Sequence, residues 1–86
     1  MGNENEYKKE LLEKIERFKL KAEDFLKNNI KAFIVDINDT WYSCNIILVG
    51  DVSVLVNNFD GDNLGNKKIY WADIVRFEEY RKEVDK

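Results

Sequence analysis

The sequence predicts a mainly β domain with an N-terminal α-helix, its five short strands forming a strongly bent antiparallel barrel. Three observations lead there. Near the N-terminus, Leu11, Ile15, Phe18, Ala22 and Phe25 recur at alternating spacings of four and three, the period of one helical face. From Ile30 to Val56, apolar residues alternate with a period of two, and the run is broken only at Asn38-Asp39 and Gly50-Asp51. In the second of these runs, apolar residues fall on both faces, with Tyr42, Cys44, Ile46 and Leu48 on one and Trp41, Ile47 and Val49 on the other. A flat sheet with one wet face does not need that pattern, whereas a curled or covered sheet does.

The helix is expected over residues 4–27, opened by a capping box in which Asn3 and Glu6 satisfy free amides. Tyr7, Leu12 and Leu26 flank the apolar seam. Glu4/Lys8, Glu10/Lys14, Glu13/Arg17 and Glu23/Lys27 stand at i,i+4 on the remaining faces, which are therefore solvent-facing. Asn28-Asn29 supplies a left-handed stop. A helix of this length, about 36 Å at 1.5 Å per residue, overhangs a small barrel. Phe18, Ala22, Phe25 and Leu26 are expected to dock on the barrel while the first turns project; the alternative is that the seam pairs with another chain.

The first strand runs from Ile30 to Ile37, with Phe33, Val35 and Ile37 on one face. Asn38-Asp39 suits a hairpin turn, because both residue types tolerate the left-handed backbone. The second strand covers Trp41 to Val49, and Gly50-Asp51 turns the chain into a third strand marked by Val52, Val54 and Val56. The Gly-, Asp- and Asn-rich segment 60–66 reads as a solvated hairpin loop. Its Asp60, Asp62 and Gly65 imitate a calcium loop, but Leu64 and Trp71 stand where ligands are needed. Lys67 to Trp71 and Ile74 to Tyr80 complete the strands. The core is expected from Tyr42, Ile46, Leu48, Val54, Val56, Ile69, Ile74 and Phe77. The organisation is one domain: a helix over 1–29, a barrel over 30–80 and a charged tail over 81–86.

Composition narrows the function. At 86 residues, one core is barely sufficient for stability. There is no His and only one Cys, so neither an internal disulfide nor the usual zinc site can form, and Cys44 lacks the imidazole base that commonly activates a thiol. No nucleophile-base constellation can be assembled, and the expectation is a non-enzyme without a cofactor. A lone cysteine, no membrane-spanning apolar run and no secretory start point to a cytoplasmic protein with no membrane partner.

Taken together, Phe25-Leu26 before strand one, Asn38 at the first turn, Asp51 opening strand three, and Ile69-Tyr70 before Ile74 resemble the Sm-like family in its Hfq-type pattern, over about Phe25 to Tyr80. The chain is also similar to small archaeal proteins of that layout, in which a Leu-Gly pair such as Leu64-Gly65 precedes the fourth strand. The resemblance implies ring-shaped homo-oligomers joined by main-chain pairing between strands four and five of neighbours, with uridine-rich RNA held near the pore. The pocket residues of the family do not carry over. Ser53 and Leu55 replace the base-stacking residue and the Asn after the strand-three Asp, and Trp71-Ala72 replaces a Lys-His pair.

Charge is unhelpful to nucleic acid. Residues 30–86 carry seven Lys/Arg against ten Asp/Glu and hold the whole net charge of −3, where phosphate binding wants a basic footprint. The best candidate patch for single-stranded RNA is Lys67, Lys68, Tyr70, Trp71 and Arg76, in which aromatics stand beside bases and could stack unpaired nucleotides. Trp41, Ile47, Ile69, Tyr70 and Trp71, together with Val49, form the candidate interface for a homo-oligomer. The resulting expectation is a non-enzymatic Sm-like binding module, self-associating and able to take RNA; the alternative is a protein-interaction or scaffold module without nucleic-acid binding.

Overall fold

A computed structural model describes the backbone of residues 3–60 and 63–81 and the side chains from residue 6 onward. One helix, α1 (Asn3–Lys27), precedes five strands: β1 (Lys31–Asp36), β2 (Trp41–Val49), β3 (Ser53–Asp60), β4 (Gly65–Tyr70) and β5 (Ile74–Glu79), with a 3₁₀ turn over Trp71–Asp73. The strands form one antiparallel sheet in the order β4-β3-β2-β1-β5. β4 and β5 are its two ends, and among the described residues no pairing between them closes the sheet, so the expected barrel is seen as an open sheet.

The helix ends as its sequence predicts. Asn29 adopts φ 57°; Ile30 N–H donates to the Phe25 carbonyl at 2.8 Å and Asn29 N–H to that of Leu26 at 3.3 Å. These are the two bonds of a Schellman stop, which satisfy carbonyls left over by the last turn. The Asn3 side chain of the expected capping box lies outside the described residues, as does the tail beyond Arg81. Of the expected i,i+4 helix pairs, Glu10/Lys14, Glu13/Arg17 and Glu23/Lys27 form no ion pair, and the Glu4 side chain of Glu4/Lys8 lies outside the described residues. Such pairs gain little against side-chain entropy when solvated. No helix is long and apolar enough to cross a membrane among the residues described.

Docking of α1 fills the inner face of the sheet. Ala22 and Phe25 join Ala32, Ile34, Cys44, Ile46, Val54, Val56, Ile69, Trp71, Ile74 and Phe77 in one core, with Ile15, Phe18, Ile30, Tyr42 and Val49 packed against it. Phe18 stacks on Phe77 at 5.8 Å between centroids and Phe25 meets the same ring edge-on at 5.4 Å. Lys21 donates from Nζ to the Phe77 carbonyl at 2.6 Å, and Lys19 reaches Asp51 at 3.7 Å beside the β2–β3 turn. Leu26, expected to dock, is exposed instead, as is Tyr7 on the overhanging turns.

Two bulges decide which residues face inward. The β2–β3 register steps from Ile46↔Val56 to Leu48↔Leu55 and Val49↔Val54. The extra residue, Ile47, reverses the alternation: Val49 turns inward beside Val54, and Leu48 turns outward with Leu55. This corrects the placement of Leu48 in the core; it is 60% exposed. Leu48→Ala should therefore cost under about 0.5 kcal/mol in urea denaturation, as surface substitutions do. A loss in the range of a buried leucine, about 2–5 kcal/mol, would put it back inside.

The second bulge, at Phe59, pairs Cys44 with Asn58 but Ser43 with Asp60. Asn58 is buried and stitches the irregularity together: its Oδ1 accepts from Ser43 N–H at 3.0 Å, and its Nδ2 donates to the Asn63 carbonyl at 2.8 Å. Sequence reading ends the third strand at Val56, whereas β3 continues through Asp60 and leaves a shorter loop, of which Gly61 and Asp62 are outside the described residues.

The two turns are built by different means. In the first, Asp39 takes φ 64°, and the Asp36 carboxylate accepts from the N–H groups of Asn38 and Thr40. In the second, Gly50 N–H donates to the Ser53 carbonyl at 2.9 Å. A Cβ on Gly50 would meet that oxygen at 2.9 Å, so a side chain cannot be fitted without moving backbone.

Candidate binding surface on the outer face of the sheet

With α1 on the inner face, whatever the sheet recognises must meet its edges or its outer face. The cross-strand registers place two groups there. Toward β4, Leu48, Leu55 and Lys68 lie in one row, Tyr70 stands opposite Ser53, and the bulged Ile47 sits beside them. Ile47, Leu48 and Tyr70 are all well exposed. Lys68 holds its ammonium over the Tyr70 ring at 5.7 Å. Toward β5, Phe33 lies between Ser43 and Glu78, and Val35 between Trp41 and Arg76. The Phe33 and Trp41 rings are 6.1 Å apart.

At the β5 end the outer face opens into a groove of about 630 Å³ lined by Phe33, Trp41, Ser43, Asp60, Glu78, Glu79, Tyr80 and Arg81. Its rim is already occupied by cations of the same chain. Arg76 lies over the Phe33 ring at 5.8 Å and forks onto Glu78 with bonds of 3.0–3.2 Å. The hydrogen bonds from Arg76 hold the Glu78 carboxyl below the usual carboxylate range. Lys31 lies 5.9 Å from the Phe59 ring, which in turn meets Tyr80 edge-on at 5.2 Å.

The structure divides the residues singled out for nucleic acid. Lys68 and Tyr70 are neighbours on the outer face of β4; Lys67 is half-buried opposite Val56. Arg76 belongs to β5, the other end of the sheet, and is engaged with Glu78. Trp71 is fully buried, its indole Nε1 donating to the Gly50 carbonyl at 3.0 Å and its backbone N–H to the Val52 carbonyl at 3.0 Å. That burial corrects both surface placements of Trp71: the ring carries the alternation of β4 inward through the 3₁₀ turn and is unavailable for stacking a base or meeting a neighbour. Ile69, also placed at the oligomer interface, is buried opposite Val54. Trp41, Ile47 and Tyr70 remain on the outer surface.

Sequence reasoning passed over the groove itself. Phe33 beside Trp41 follows once the hairpin turn fixes the β1–β2 register. Asp60 opposite Ser43 depends on the Phe59 bulge, and Glu78 opposite Phe33 on a β1–β5 pairing that no local pattern reveals. Cys44 is buried, and burial pushes its thiol up to about 12, which leaves it inert toward electrophiles. Compared with family models, curated proteins and solved structures, the chain matches none of them.

Proposed function

We propose that this chain is a non-enzymatic Sm-like binding module that self-associates and uses the outer face of its sheet for protein contacts rather than for nucleic acid. The observation that carries this reading is the exposure of Trp41, Ile47, Leu48 and Tyr70 on the outer face of a sheet whose inner face is already filled by its own helix. Large apolar side chains left exposed along one face of a small domain mark an interface. The order β4-β3-β2-β1-β5 supports the Sm-like part, because it leaves β4 and β5 as the free edges, the strands through which that family joins neighbours. Unpaired edge amides and carbonyls seek partners.

Light scattering after size exclusion tests self-association. The expected particle exceeds the 10.2 kDa chain mass at high micromolar concentration, and Tyr70→Asp shifts it downward by placing a charge in the outer apolar row. A particle that stays at the chain mass across that range would sink the oligomer.

Single-stranded RNA is the second reading, and the Lys68 ammonium against the exposed Tyr70 ring is what favours it. It asks that a uridine-rich or adenine-rich strand bind saturably at low salt and weaken as salt rises. The protein reading expects no saturable binding of either strand. Binding that is abolished by Lys68→Glu would install RNA in its place.

A further inference from the structure

We infer that the groove between Phe33, Trp41, Asp60 and Tyr80 is a docking site for an extended peptide that presents an arginine side chain. The inference rests on the reading of the outer face as a protein-binding surface and names the chemistry it selects. A template stands at its edge: the Arg76 guanidinium lies over the lining residue Phe33 while forking onto the lining residue Glu78. A planar guanidinium can stack on the ring and fork onto the carboxylate at once, whereas a compact ammonium meets either as a point charge.

A second set of the same parts stands open. Trp41, the aromatic type that attracts cations most strongly, is half exposed, and among the described residues no cation covers it. Asp60 and Glu79 line the same groove without an ion-pair partner among the described residues, of which Arg81 is the only base in the lining. Ser43 lines the floor of the same groove, with its backbone N–H already taken by the Asn58 side chain, and an extended peptide laid along such a strand face is read through its side chains.

The test uses the intact chain and the peptide acetyl-Gly-Arg-Gly-Arg-Gly-amide, with its Lys and Glu counterparts and oligouridylate as comparison probes. Trp41 is a built-in reporter, because the other tryptophan, Trp71, is fully buried; calorimetry gives the same answer independently of fluorescence. The arginine peptide is expected to change Trp41 emission saturably, to bind several-fold more tightly than the lysine peptide, and to find no competitor in the glutamate peptide. Asp60→Asn, at an exposed site, should weaken binding about tenfold, since the amide cannot make the charge-assisted fork. Trp41→Leu should abolish the calorimetric signal.

No saturable signal from the arginine peptide, an equal response to the glutamate peptide, or indifference to Asp60→Asn would overturn the assignment. So would oligouridylate displacing the peptide and binding more tightly. Light scattering on the same samples separates this inference from self-association: a monomer that binds the arginine peptide keeps the groove and loses the oligomer, and an assembly that ignores the peptide does the reverse.

Discussion

Trp71→Ala is expected to leave most of the chain unfolded in water at room temperature. The ring is fully buried at the centre of the core, and truncating a buried tryptophan costs about 3–5 kcal/mol. Loss of the indole donor also strips the Gly50 carbonyl of its partner, which adds about 1–3 kcal/mol if water cannot reach it. Against that stands the total stability of a small domain, about 5–15 kcal/mol and toward the low end at 86 residues. Urea denaturation followed by far-ultraviolet circular dichroism reads the loss. Trp71→Phe separates the two contributions, because it keeps much of the volume and removes the hydrogen bond; its midpoint should fall between the wild type and Trp71→Ala. A loss below about 1 kcal/mol for Trp71→Ala would mean that the ring does not hold the turn and the sheet together.

The same residue shows where sequence reading stops. Alternation along Lys67 to Trp71 groups Trp71 with Ile69, and Ile69 belongs in the core, so the pattern itself sends Trp71 inward. Its size and its place before an exposed turn suggest the surface, and only the tertiary bond from Nε1 to the Gly50 carbonyl overrides that suggestion. The helix seam and its Asn29 stop are legible, because both depend on spacing and on one residue's tolerance of positive φ. Strand positions are legible for the same reason. Facing is not, since one inserted residue at Ile47 exchanges Leu48 and Val49 between water and core, and nothing local in Ile46-Ile47-Leu48-Val49 announces which residue is extra. The groove inherits that difficulty. Of its walls, Phe33 and Trp41 come from one hairpin, while Asp60 arrives through a bulge and Glu78 through the long-range closure of β5 on β1.

Phe77→Ala should produce an equally large but differently distributed loss. The Phe77 ring is the point on β5 where α1 is held: Phe18 and Phe25 both pack on it, and Lys21 lies 5.8 Å from its centroid while bonding the carbonyl of the same residue. Truncation of a buried phenylalanine costs about 3–5 kcal/mol, and each aromatic pair lost adds about 0.5–1.5 kcal/mol beyond buried area. The deficit falls on the helix–sheet contact, because the main-chain ladder of β5 with β1 does not involve the ring. Most of the stability of a helix within a protein comes from the packing of its apolar face rather than from propensity, so undocking loosens α1 first. Hydrogen exchange should therefore show amides from Ile15 to Phe25 losing protection before those of β2 and β3. Leu26→Ala, at an exposed position on the same helix, is the control and should leave protection unchanged. Uniform loss of protection across helix and sheet in Phe77→Ala would mean that α1 and the sheet unfold as one unit and that the aromatic contact is not a separable anchor.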